Sequence, residues 1–122
     1  MSQAADVHSR LLELYPEVLA GRLDEALELI DADVVDHRGG TQGTHRGIDA
    51  WREKWAGVAG NDVTVTVEQN VSQGDISVNR YTIAGPGYAV TGIDMIRVRD
   101  GLLVEHWAVL DTTAIQHQTS GG

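Results

Sequence analysis

The 122-residue sequence predicts an α+β domain whose helices pack on one face of a curved antiparallel sheet. Three observations carry this. As far as Val58, apolar residues recur at three- and four-residue spacing, the period of helices with one buried face. From Val63 onward the period switches to two, the period of strands. The period-two runs are separated by short glycine-bearing turns of hairpin length.

Val7, Leu11, Leu14, Val18 and Leu19 mark a first helix, which Gly21 is placed to end. Pro16 has no N–H to donate and biases Tyr15 away from the α region, so it predicts a kink or a late start. Leu23, Ala26, Leu27 and Ile30 mark a second short helix, and Val34–His37 a brief strand. The stretch RGGTQGTHRG that follows, with four glycines, is expected to lack regular structure. Ile48, Trp51, Trp55 and Val58 share one face of a third helix. Four strands complete the chain: VTVTVEQNV, ISVNRYTI, YAVTGIDMIRV and LLVEHWAVL.

Composition narrows the functions. One domain over residues 1–122 is expected, with its core at about 7–115 and a flexible tail at 116–122. Eighteen acidic against nine basic residues give a net charge of −9, and the basic residues are scattered, so no nucleic-acid partner is expected. No segment approaches the roughly 20 apolar residues of a membrane span and no apolar signal core opens the chain, so a cytoplasmic protein without a membrane partner is expected. Without cysteine there are no disulfides or thiolate metal sites. His8, His45 and His117 have no metal-ligand spacing among themselves, and no metal or other cofactor is implied.

The last hairpin poses the functional question, because Asp94 lies in one arm and His106 in the other. Slipping the register by one residue moves every side chain to the other face. A two-residue Asp100-Gly101 loop sets Asp94 opposite Trp107, whereas a three-residue Arg99-Asp100-Gly101 loop with Gly101 in a bulge sets it opposite His106. Both turns are allowed.

The segments HRGIDAWREKW and GIDMIRVRDGLLVEHWAVLD, in this order and spacing, resemble the SnoaL-like polyketide cyclase branch of the nuclear transport factor 2-like superfamily, over about residues 11–113. The resemblance implies a cone-shaped α+β barrel whose curved sheet encloses an apolar pocket, and a homodimer formed through the outer face of the sheet. It also sets Asp94, His106 and Ala108 on the pocket face, with Met95, Trp107 and Val109 outside. Tyr81 and Ile83 are expected to extend that outer patch.

The chemistry it implies is cofactor-free proton transfer, a cyclisation or isomerisation, on a hydrophobic substrate bearing a ketone or enol. A carboxylate beside an imidazole fixes its tautomer and raises its basicity, so Asp94 and His106 form the first candidate pair, with Asp94 expected ionised. His37 falls where related ketosteroid isomerases carry a carboxylate base, and is otherwise a partner for a loop carbonyl. Tyr15 falls where they carry an oxyanion-donating tyrosine, and Asp94 where they carry a protonated aspartate donor, the alternative to its role as orienter of His106. Arg80 falls at the arginine of the Asp-Arg-Asp triad of limonene epoxide hydrolases, but its partners would be Thr82 and Ala108, so that route is not expected. Arg80 is then a carbonyl or anion anchor in the pocket, or a counter-ion to Asp94. Ala108 also replaces an acid/base aspartate of SnoaL-type cyclases, which supports an alternative: a non-catalytic binding or accessory protein, or one assisting hydroxylation or epoxide-opening cyclisation. Trp51 and Trp55 are either core or the aromatic wall of the pocket.

Overall fold

The structure, a computed structural model, describes residues 2–111, so His117 and the expected tail at 116–122 lie outside the described residues. Helix α1 (Gln3–Leu19) opens on Ser2, whose hydroxyl accepts the Ala5 N–H at 3.2 Å. It continues through Pro16, and the late start does not occur. Pro16 stands in the last turn, where it removes one ladder bond, while buried Leu14 and Val18 hold that turn to the core. Gly21, at φ 85°, ends it. Helix α2 is the short Asp24–Leu27, and Ile30 already belongs to the next strand.

Strand β1 (Ile30–Gly39) is longer than the brief strand expected, and the glycine-rich stretch after it is not irregular. Gly39, Gly40 and Gly43 take φ of 75°, 54° and 67°, which reverses the chain around a 3-10 turn (Gly40–Gln42) into strand β2 (Gly43–Arg46). The glycines supply the left-handed backbone a tight reversal needs, so they build the hairpin instead of preventing it. Helix α3 (Ile48–Ala56) follows, then β3 (Thr64–Gln73), β4 (Ile76–Gly85), β5 (Tyr88–Arg99) and β6 (Leu102–Leu110).

The six strands form one open sheet in the order β2-β1-β6-β5-β4-β3, antiparallel throughout except for the parallel pair β1–β6. Ile96, Leu103, Val18 and Val34 are the largest fully buried apolar side chains between helices and sheet. Among the described residues no helix is long and apolar enough to cross a membrane.

The β5–β6 hairpin combines parts of both expected forms. Asp100 and Gly101 have φ of 53° and 78°, which makes a two-residue turn with Arg99 opposite Leu102 and Val98 opposite Leu103. Val104 is then an extra residue, a bulge, beyond which Arg97 pairs Glu105, Ile96 pairs His106 and Asp94 pairs Ala108. Asp94 and His106 therefore share the helix-facing side, but as diagonal neighbours and not directly opposite. Met95, Trp107 and Val109 take the other side. Tyr81 and Ile83, expected there too, pair with Gly92 and Val90 and so face inward.

Candidate active site

Between the helices and the sheet lies a cavity of about 310 Å³. Tyr15, Trp51, Trp55, Asp94, His106 and Ala108, all singled out from the sequence, line it. His37 and Arg80 do not. His37 is one residue out of phase with the inward-facing positions of β1: its ring stacks on Trp107 at 5.1 Å and its Nε2 meets Glu105 at 2.7 Å on the outer face. The inward position is Asp36, opposite His106 across the β1–β6 pair. Arg80 is out of phase on β4 in the same way, opposite Ile93 and exposed, so it anchors nothing in the cavity and does not pair with Asp94.

The polar part of the cavity is a chain of groups with defined hydrogen-bond directions. Asp36, only 2% exposed, accepts from Arg38 Nε at 3.0 Å, Lys54 Nζ at 2.9 Å and His106 Nδ1 at 2.9 Å. Burial alone would raise the Asp36 carboxyl, but the bond from His106 and the Lys54 ammonium together hold it far below the usual carboxylate range. An ionised Asp36 is acceptor only, so Nδ1 of His106 carries a proton and, in the neutral ring, Nε2 carries the lone pair. That lone pair lies on the cavity side, 3.4 Å from Asp94 Oδ2. Trp51 stands edge-on to the His106 ring at 5.2 Å and fixes its plane.

Asp94 Oδ1 is held from the other side by His8 Nε2 at 3.0 Å. His8 Nδ1 meets Ser77 Oγ at 2.7 Å, and the same oxygen accepts from Asn70 Nδ2 at 2.9 Å. An ionised Asp94 is acceptor only, so His8 carries its proton on Nε2 and, in the neutral ring, Nδ1 accepts from the Ser77 hydroxyl. Burial opposes ionisation of Asp94, but the His106 ring in its protonated form and the N–H of His8 outweigh it and bring the group down to about 2. These partners favour the ionised carboxylate, and the orienter of His106 is Asp36 and not Asp94. Burial raises the phenols of Tyr15 and Tyr81, and Tyr81 is pushed further by Asp94, so both remain donors. Among the described residues neither hydroxyl has a hydrogen-bond partner.

The family model of the SnoaL-like domain matches residues 11–106. The chain belongs to the SnoaL-like family. Among solved structures, the SnoaL-like chain is similar to a loop-truncated variant of IdmH at 32% identity, covering 95% of this chain and 98% of that one, with a TM-score of 0.76. Wild-type IdmH from Streptomyces antibioticus, described as a candidate polyketide cyclase, is 28% identical, with 97% and 99% of the two chains covered and a TM-score of 0.77. A candidate SnoaL-like polyketide cyclase from Jannaschia sp. CCS1 shares the fold at a TM-score of 0.83, with 18% identity over 98% of this chain and 93% of that one. No curated protein matches the sequence.

Three residues of this SnoaL-like site were not singled out from the sequence: His8, Asp36 and Lys54. His8 stands in register with Leu11, Leu12 and Tyr15 at spacings of 3, 4 and 7, and Lys54 with Trp51 and Val58 at 3 and 4, so helical phase alone places both on cavity-facing stripes. Among the described residues no cluster of His, Asp and Glu is arranged to hold a metal ion.

The low position of Asp94 predicts acid lability. A carboxyl lower in the folded than in the unfolded chain stabilises the fold above its unfolded pKa, and that stability is lost as pH falls through the folded value. For Asp94 the window runs from 3.8 down to about 2, and the loss there is on the order of 2 kcal/mol. Urea midpoints measured across this window should fall, and Asp94→Asn should flatten part of the slope. An identical slope in the variant would contradict the assignment.

Proposed function

We propose that the protein is a cytoplasmic, cofactor-independent acid–base enzyme that moves a proton next to a carbonyl of a hydrophobic ketone or enol, in a cyclisation or isomerisation of polyketide type. The observation that supports this best is His106, tied at Nδ1 to an ionised Asp36, with Nε2 on the wall of an otherwise largely apolar cavity. In this reading Nε2 takes a proton from the carbon beside the carbonyl, leaving an enolate. The imidazolium keeps its bond to Asp36 and turns its new N–H toward Asp94 Oδ2. Tyr15 and Tyr81 are the neutral donors for the enolate oxygen. In a cyclisation the enolate carbon then bonds to a second carbonyl carbon of the same molecule, and His106 returns its proton to the resulting alkoxide. In an isomerisation the proton returns to another carbon.

Loss of hydrogen from the carbon beside the carbonyl of 1-tetralone in deuterium oxide, followed by NMR, tests the reading without knowledge of the natural substrate. Faster exchange with the protein than in buffer is expected, and it should depend on His106. The second reading, a binding protein, is favoured by Ala108, which stands directly opposite Asp94 where an acidic group would complete the cavity's acid–base set. Tight binding of the ketone with no exchange above buffer would decide for it.

The outer face supports a homodimer. Ile93 and Val109 pair across β5 and β6 at 48% and 73% exposure, beside Met95 and Trp107, an apolar patch on the side away from the cavity. Light scattering should give twice the mass of the chain, and Val109→Glu should shift it to the monomer. A wild-type monomer at high concentration would remove the dimer.

A further inference from the structure

The acid–base reading leaves one charged side chain of the cavity without a task. Among the described residues lining it, Lys54 is the only lysine or arginine. Its ammonium lies 3.4 Å from the centroid of the Trp51 ring and 2.9 Å from Asp36 Oδ2. Asp36 carries one negative charge yet meets two cationic side chains, because Arg38 Nε binds the same oxygen at 3.0 Å. Arg38 alone neutralises it, and Arg38 is not part of the cavity wall. If Lys54 turns toward a ligand, Asp36 keeps Arg38 and His106 and is not left as an unpaired buried charge.

We propose that Lys54 is the anion-binding residue of this cavity, receiving an enolate or carboxylate oxygen carried on a hydrophobic body. The charge count follows the reaction. In the resting site Asp94 balances Lys54 across the cavity. Once His106 holds a proton, the imidazolium becomes the counter-ion of Asp94, and the charge on Lys54 is the one left for the enolate. The flat cationic surface formed by Lys54 on Trp51 suits a delocalised oxyanion, while Leu11, Trp55 and Val58 offer apolar surface to the rest of the ligand. The enolate arm rests on the acid–base reading, but anion binding at Lys54 is measurable in a protein that turns nothing over.

Calorimetric titration at neutral pH with three indane-based probes separates the cases: 2-acetylindan-1,3-dione, an enolate at that pH, indane-2-carboxylate, and the neutral indan-1-one. The wild type should bind at least one of the anions tenfold or more tighter than the neutral ketone. Lys54→Met should erase that preference while leaving the neutral ketone within twofold, and Lys54→Arg should restore most of it. Preference for the enolate, the carboxylate or both identifies the oxyanion and supports the proposal. Equal wild-type affinity for all three overturns it, a comparison that stands even if Lys54→Met does not fold. An equal loss for all three in Lys54→Met overturns it too, since the residue would then only shape the cavity. Absence of proton exchange with anion selectivity intact overturns the acid–base reading alone.

Discussion

His106→Ala is expected to lower proton exchange on a cyclic ketone by a factor of roughly 10²–10⁴, the usual contribution of a positioned acid–base group. The argument is one of tautomer and counter-charge. Asp36 accepts from Nδ1 at 2.9 Å and so commits the lone pair of the neutral ring to Nε2. Asp36→Asn should lose nearly as much as His106→Ala while His106 stays in place. An amide offers an N–H as well as a C=O, so the ring can bind it through an unprotonated Nδ1 and carry its proton on Nε2, where it can no longer take one. The imidazolium also loses its nearest anion. His37→Ala should leave exchange close to wild type, because His37 lies against Trp107 and Glu105 on the far side of the sheet. Full activity in His106→Ala would end the assignment of the base. Full activity in Asp36→Asn with His106→Ala inactive would keep the base and discard its orienter.

Asp36→Ala should be the most destabilising of these substitutions, costing about 3–5 kcal/mol, the usual effect of removing one partner from a buried ion pair. The carboxylate is 2% exposed and is the common acceptor of Arg38, Lys54 and His106. Without it two cations face each other across a half-buried gap. Urea denaturation monitored by circular dichroism measures the change, with His37→Ala, one residue along the same strand, expected within about 1 kcal/mol as an outward-facing control. A loss below about 1 kcal/mol for Asp36→Ala would show that the cations relax into solvent and that the network contributes little to stability.

The element types were legible because hydrophobic period reports them directly: the switch from helical spacing to alternation near Val63 is where the meander begins. Phase was harder to read. In Val34-Val35-Asp36-His37 both valines are apolar, so alternation does not say which of Asp36 and His37 turns inward, and the resemblance to ketosteroid isomerases points to His37, one residue past the inward Asp36. Arg80 is ambiguous for a related reason, since ISVNRYTI puts polar groups on both faces and Asn79, not Arg80, is the inward member. His8 shares a helical stripe with Leu11 and Tyr15, but the sequence shows no partner for it nearby. Its bond to Asp94 spans 86 positions of the chain, a pairing that no local pattern contains.

The bulge at Val104 means that β6 carries two messages in different phase. Before it, Leu103 points into the core. After it, His106 and Ala108 point into the cavity, although unbroken alternation from Leu103 would turn both outward. The extra residue acts as a half-period slip that uncouples the packing end of the strand from its chemical end. Closing that slip by removing Val104 should leave the pairing of Ile96 with His106 unchanged, so the two ends of β6 are free to vary separately, one under selection for a tight hairpin and the other for what the cavity holds.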